Sequence, residues 1–468
     1  MWWLLAIFLA YLLQIAAVVL IEYRRPYKAV TWLFIALAIP PIGFLTYCFV
    51  GKEFTCSNRS SPNFPQDAMD RLVERCEQRW RDLAGDAPSG IDFRVRRFMD
   101  RTTALPPTSG NETTVYSEGK QAFEAMLESI SEAKHHIHIE FFIIRDDRLG
   151  TLLQRLLLRK AGEGVKIRLL YDGIGCRKLK KTYFKQLEAF GVETGCFFPP
   201  IASFIARRVN FRNHRKILVV DGKVGYFGGL NIGDEYLGED PSIGHWRDTH
   251  FRVRGDAVLW IQYTFLQDWE MVKGQALHDP AYYPLQEKYG EDRVCIVKSG
   301  PNEPILELIF SCIASAKERI YIETPYFIPD AGLMLALRTA AKSGIDVRVI
   351  IPHVPDYRIV YYASLSFVEE LLQAGVRFYG YRNGFIHAKV MICDRMAFSG
   401  TANMDVRSLC AQFEINAVFS DGNVVERLVR DFERDLGDSM EILLPEFRNR
   451  PRMQKLKEIF ARLLSPLF

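Results

Sequence analysis

The sequence predicts an α/β protein: two pseudo-symmetric repeats with mixed, largely parallel sheets flanked by helices, behind an N-terminal transmembrane helical hairpin. Three observations carry that expectation. Two apolar runs occupy the first fifty residues, strand-like and helical segments alternate over the remainder, and one polar pattern occurs twice, 173 residues apart. A chain of 468 residues has room for two or three cores. Its 25% charged and 49% hydrophobic residues exclude wholesale disorder, and a net charge of +4 gives no bulk argument for nucleic acid. Nine cysteines without a Cys-x-x-Cys pair suggest neither a zinc site nor a disulfide framework.

The amino end comes first. Met1 to Ile21 carries no charge, with Gln14 its one strongly polar side chain, and such a helix would be about 30 Å long, enough for a bilayer core. Ala29 to Val50 is a second apolar run with Pro40 and Pro41 in its middle. A cleaved signal peptide would want a basic start and a shorter apolar stretch. Residues 1–51 therefore read as an anchor with spans at about 2–21 and 30–50. The prolines predict a second span that is kinked or re-entrant. Arg24, Arg25 and Lys28 lie between the spans, and basic flanks stay cytoplasmic. Two full crossings, the expectation adopted, place the catalytic body on the outer side of a bacterial cytoplasmic membrane; a re-entrant second segment would return it to the inside.

Residues 52–111 read as a linker, polar from Cys56 to Pro65, and a helical segment with apolar spacing at Met69, Leu72, Val73, Cys76 and Trp80. The first repeat is set at 112–285 and the second at 286–449. Each opens with a helical run, 122–133 and 306–316, followed by the strands His136-Ile-His-Ile-Glu140 and Ile320-Tyr-Ile-Glu323. A further helix then leads to 164–172 and 344–352, and a third ends in a glycine turn at Gly191 and Gly375. Residues 450–468 read as an amphipathic C-terminal helix.

The repeated pattern is His214-Arg-Lys216-x4-Asp221 followed by Gly228-Gly229-Leu-Asn231, and His387-Ala-Lys389-x4-Asp394 followed by Gly400-Thr401-Ala-Asn403. On a strand, residues i and i+2 share a face, so each His and Lys point at one site. A neutral imidazole is a competent nucleophile toward phosphorus, and a second, protonated one can supply the leaving oxygen's proton. Two lysines and two asparagines suit the equatorial oxygens of a five-coordinate phosphorus. Such a site needs no metal and no cofactor. A satisfied core histidine is the usual reading of a lone His, but here two recur in matching eight-residue patterns.

The doubled His-x-Lys-x4-Asp resembles the phospholipase D superfamily. Trp246-Arg-Asp-Thr-His250, Thr324-Pro-Tyr-Phe-Ile-Pro-Asp330, Gly384-Phe-Ile-His-Ala-Lys389 and Asn403-Met-Asp-Val-Arg-Ser408 narrow the likeness to bacterial cardiolipin synthases. The resemblance implies phosphatidyl transfer between two phosphatidylglycerols through a phosphohistidine, by an enzyme embedded among anionic membrane lipids. It assigns His214 as nucleophile and His387 as acid then base, with the exchange of those roles left open. Lys216, Lys389, Asn231, Asn403 and Thr401 carry over as phosphate ligands, and Asp221 and Asp394 complete the motifs, more as structural groups than as acids. Asp248 and Glu414 match the carboxylates that orient the imidazoles. Asp248 follows Asn231 by 17 residues and Glu414 follows Asn403 by 11, so the two placements are not equivalent. Gly229, where the superfamily often has Ser, offers only backbone.

Other features keep two readings. Phe197 to Ile205, closed by Arg207 and Arg208, is a loop dipping into lipid or an ordinary connector. Tyr357 to Phe367 lines an acyl groove or packs as a helix. His135, His136 and His138 are not read as a metal site. Alternatives to the synthase are a hydrolase, a transferase using another alcohol, or a non-catalytic scaffold; a nuclease lacks its basic, aromatic stripe.

Overall fold

The computed structural model of the chain describes residues 2–23, 26–40, 42–51, 66–84, 93–102, 105–205, 211–240, 244–300, 305–420 and 422–465. The expected linker at 56–65, and Arg24, Arg25, Arg207 and Arg208, lie outside them.

The apolar amino end forms three helices, α1 (Trp2–Ile21), α2 (Pro26–Ala38) and α3 (Ile42–Val50). Among the described residues no helix is long and apolar enough to cross a membrane. The second apolar run breaks at the proline pair into pieces of 13 and 9 residues, about 20 and 14 Å long. They fold back on each other. Trp32 meets Tyr47 edge-on at 5.3 Å, and a Cβ on Gly43 would stand 2.4 Å from the Ile35 carbonyl, so glycine permits the close approach. Lys28, near the start of α2, donates to the Gly51 carbonyl beyond the end of α3 at 2.8 Å. The run is thus a helical hairpin whose two ends meet.

The first repeat contributes β1 (Thr108–Glu118), β2 (His136–Phe141), β3 (Lys166–Asp172), β4 (Glu193–Phe197), β5 (Ile217–Val220), β6 (Val224–Gly228) and β7 (Trp246–Arg254). The second contributes β8 (Asp292–Ser299), β9 (Arg319–Glu323), β10 (Phe327–Ile328), β11 (Asp346–Pro352), β12 (Arg377–Tyr381), β13 (Phe385–Ile386), β14 (Val390–Cys393), β15 (Met396–Gly400), β16 (Met404–Asp405), β17 (Glu414–Ser420) and β18 (Ser439–Ile442). One continuous sheet joins both repeats in the order β18-β12-β11-β9-β14-β15-β17-β8-β1-β7-β6-β5-β2-β3-β4. Its centre is antiparallel; β2-β3-β4 and β9-β11-β12 are parallel, and the short β13 adds to β7 in parallel off that path. The largely parallel expectation is corrected because short turns at Asp221 and Asp394 return each motif strand beside itself, which only antiparallel pairing allows. One core runs through both repeats and includes Phe265 and Trp269 of the helix Ala257–Lys273 and Phe432 of the helix Asn423–Gly437, and two further cores belong mainly to the first and to the second repeat. The chain closes with the helix Arg452–Leu464.

Candidate active site

Both motif histidines stand on the extended segments just before β5 and β14, where the ladder ends and the chain can turn polar groups inward. Each segment hydrogen-bonds to the other repeat: His214 N donates to the Phe413 carbonyl at 2.9 Å, and His387 N to the Arg247 carbonyl at 2.6 Å. These contacts place each motif beside the opposite repeat's carboxylate. His214 Nδ1 lies 3.0 Å from Glu414 Oε2, and His387 Nδ1 lies 2.7 Å from Asp248 Oδ2. The carboxylates are therefore exchanged between repeats, and neither half holds a complete site.

A carboxylate can only accept, so each Nδ1 carries the hydrogen and each Nε2 keeps its lone pair. Both rings are nearly buried, at 8% exposure. An aromatic ring flanks each one, Phe142 at 5.0 Å from His214 and Trp246 at 5.1 Å from His387. Burial pushes the His214 imidazole down to about 4, against the pull of Glu414. Burial and then Lys389 push His387 down to about 3, against Asp248. The unliganded site thus favours neutral imidazoles. Asp248 is held at about 2: burial opposes its ionisation, but His387 and Lys389 outweigh it.

Lys216 and Lys389 each donate to the carbonyl of the motif histidine two residues earlier, at 2.7 and 2.6 Å. Burial lowers the two ammonium groups to about 7 and about 8. Each has donors left for a phosphate oxygen. Asn231 accepts from the Ile143 N–H at 3.1 Å, which fixes its amide, and Asn403 is buried with its Oδ1 unbonded. The two histidines, two lysines and two carboxylates act on one another's charge across the two repeats and so lie in one place. Lys389 acts on His214 and Lys216 on His387, across the repeat boundary.

Three expected residues stand apart. Asp221 accepts from the backbone N–H groups of Lys134, His135 and His136 at 2.8, 2.8 and 2.9 Å. Asp394 does the same for Lys317, Glu318 and Arg319 at 2.8, 2.9 and 3.0 Å. Each sits at the far end of a four-residue strand, a turn cap rather than a catalytic group. The Thr401 hydroxyl is also corrected: it donates to the Ile415 carbonyl at 3.2 Å and accepts from the Ile415 N–H at 2.8 Å. It fastens the loop to β17, and its one O–H is spent there.

The sequence reading missed why residue 229 is glycine. A Cβ there would stand 1.8 Å from Asp248 Oδ1, so the carboxylate that holds His387 occupies the space of a side chain. It also missed His250, fully buried with both ring nitrogens unbonded, two residues beyond Asp248. The only signal for it was the His closing Trp246-Arg-Asp-Thr-His250. His136 and His138 form a buried group with Gln262, at 3.3 and 2.7 Å.

The family model described as "Cardiolipin synthase, PLD-like domain" matches residues 126–244 and 309–436. A cardiolipin synthase 2 of Bacillus anthracis is 42% identical over 97% of this chain and 89% of its own length. A major cardiolipin synthase of Bacillus subtilis is 39% identical over 99% of this chain and 98% of its own. Among solved structures, the phosphatidylserine synthase of Haemophilus influenzae aligns with a TM-score of 0.60 at 16% identity, covering 80% of this chain and all of that one. That last likeness is one of fold.

Proposed function

The chain belongs to the cardiolipin synthase family of phospholipase D-like proteins, and on that premise we propose that it joins two phosphatidylglycerols through a phosphohistidine on His214. The observation that carries the reading is the exchanged pair of histidine–carboxylate contacts, which occupies each Nδ1 and leaves each Nε2 lone pair for the chemistry. In the first half, His214 Nε2 attacks the phosphorus of one phosphatidylglycerol. The phosphorus–oxygen bond to glycerol breaks, and glycerol leaves with a proton from His387. In the second half, the glycerol hydroxyl of another phosphatidylglycerol gives its proton to His387 and attacks the phosphorus. The bond to His214 breaks and cardiolipin is released.

The protonation states follow from charge. Burial keeps both imidazoles neutral, as the nucleophile requires. The arriving phosphodiester anion, together with Asp248, favours the imidazolium form of His387 that serves as acid. Lys216 and Lys389 offset the charge of the five-coordinate phosphorus.

The finer membrane arrangement rests on the amino end. α1, uncharged throughout, and the α2–α3 hairpin insert in the bilayer. The C-terminal helix lies at its surface. Thr31 of α2 donates to the Leu463 carbonyl at 2.8 Å, Phe34 meets Phe460 at 6.2 Å, and Met453, Leu456 and Ile459 are exposed beside them. Ile201 and Phe204 of the helix Pro200–Ile205 are exposed as well, in keeping with a loop that meets lipid.

Purified full-length protein incubated with radiolabelled phosphatidylglycerol should yield cardiolipin and glycerol. Phosphatidic acid as the sole product would replace the synthase by a hydrolase. His214→Ala should abolish the trapped adduct and lower turnover by several orders of magnitude, because the covalent route is lost. If His387→Ala instead loses the adduct while His214→Ala keeps it, the two roles are exchanged.

A further inference from the structure

Two fully buried guanidinium groups lie behind the imidazoles, and the transfer chemistry above uses neither. Arg215, between His214 and Lys216, donates from Nε to the main-chain carbonyl of Glu414 at 3.0 Å. Its Nη2 donates to the Ser299 carbonyl at 2.6 Å, and its Nη1 pairs with Asp268 of the helix Ala257–Lys273. Glu140 of β2 belongs to the same group: it accepts from Asn213 and is influenced by Asp268 and Arg215.

The second repeat holds a matching group assembled differently. Its motif has Ala388 where the first has Arg215, so no guanidinium can come from that position. Arg247 of β7 enters instead. Its Nη1 donates to the main-chain carbonyl of Asp248 and to Thr249 Oγ1 at 3.0 Å, and its Nε pairs with Asp435 of the helix Asn423–Gly437 at 2.7 Å. Its Nη2 lies 3.6 Å from Glu323 of β9. Glu140 and Glu323 occupy the same place in the two repeats, as do Asp268 and Asp435 on their helices.

We propose that Arg215 and Arg247 are positioning residues, each fixing the backbone of the carboxylate that orients one imidazole: Arg215 through Glu414 for His214, Arg247 through Asp248 for His387. The fork is what the task needs. One planar group reaches a carbonyl and an acidic side chain in set directions, which a lysine cannot do. Charge balance supports the assignment. One guanidinium facing two ionised carboxylates would leave each buried group negative. Burial and then the neighbouring aspartate raise Glu140 and Glu323 well above the usual carboxylate range, so each glutamate keeps its proton and each group is neutral. One oxygen of each glutamate has no bond from another side chain, which suits a protonated carboxyl facing its aspartate.

The test uses full-length enzyme in phosphatidylglycerol vesicles, with melting temperature measured for every variant. Arg215→Lys and Arg247→Lys should each lower kcat about 10- to 100-fold while KM stays within about twofold. The high-pH limb of kcat should move to lower pH for Arg247→Lys, because a displaced Asp248 supports the His387 imidazolium less. A purely structural role would lower the melting temperature without moving that limb. Glu140→Gln and Glu323→Gln imitate the protonated glutamates and should keep activity within about threefold. Lysine variants with wild-type kcat and pH profile overturn the proposal. So do glutamine variants that lose activity at an unchanged melting temperature, and these decide alone if the lysine variants do not fold. The inference rests on the two-histidine transfer, so His214→Ala and His387→Ala are run beside them; if both stay active, it is that reading which fails.

Discussion

At Gly229 a missing side chain is the functional feature. Asp248 Oδ1 fills the position a Cβ would take, 1.8 Å away, and Asp248 is what holds His387. Gly229→Ala should therefore push the carboxylate off Nδ1. We expect about 10- to 100-fold lower kcat, the scale of losing an orienting carboxylate, with a folded protein by circular dichroism; wild-type kcat would show that Asp248 can move without consequence. The lysines give a pH prediction. A lysine lowered to about 7 or 8 is charged below that value and neutral above it. As pH rises through this range, kcat/KM, which reports the free enzyme, should fall. The phosphodiester anion restores the ammonium form in the complex, so kcat should hold to higher pH; coincident limbs would argue against the lysines as the titrating groups. The histidines, lysines and asparagines were legible because a repeated chemical pattern marks them. Gly229 and the bonded Thr401 hydroxyl were not, since their roles depend on how the following strands β7 and β17 fold back against them.

At the element scale, the motif aspartates serve the sheet. Asp221 and Asp394 adopt left-handed φ values of 53° and 52° and gather three N–H groups each from the chain entering β2 and β9. Asp221→Gly keeps that φ accessible while deleting the acceptors. It should cost about 1–3 kcal/mol of stability and leave turnover per folded molecule near wild type. Loss of turnover at unchanged stability would return the residue to the chemistry. The sequence showed that each His-x-Lys pattern ends in Asp but could not say what that Asp meets, because its partners lie 85 to 87 residues upstream of Asp221 and 75 to 77 upstream of Asp394. Strand existence was readable from apolar runs. Direction was not: helices alternating with strands suggest parallel crossovers, whereas the three-residue return from Val220 to Val224 makes the centre antiparallel. The buried histidines add an acid limit. Burial lowers His136 to about 4 from its ordinary 6.5, so between those values the unfolded chain binds a proton that the folded one refuses. Stability should decline as pH falls below about 6.5, and His136→Gln should flatten that part of the melting-temperature profile.

At the scale of the whole molecule, the hairpin decides which side of the membrane the body occupies. The sequence allowed two outcomes because Pro40-Pro41 marks a break without giving its angle. The folded chain closes that angle: Lys28 meets the Gly51 carbonyl, and Glu22 accepts from Tyr47 Oη at 3.2 Å while pairing with Lys28 at 3.3 Å. The start of α2 and the end of α3 therefore lie side by side, and in a bilayer that base would sit at one face. The C-terminal helix docks near that same base through Thr31 and Phe34, so the body has contacts at this level from both of its ends. Since basic flanks are retained in the cytoplasm, the catalytic body should face inward. A reporter tests this. Ser131 is exposed near the end of the helix Gly119–Glu132, and Ser131→Cys in an otherwise cysteine-free protein can be probed in intact cells. An inward body gives no labelling by an impermeant thiol reagent before lysis and full labelling after it. Labelling in intact cells would mean that the hairpin opens in the bilayer into a second crossing, and that phosphatidylglycerol is drawn from the outer leaflet.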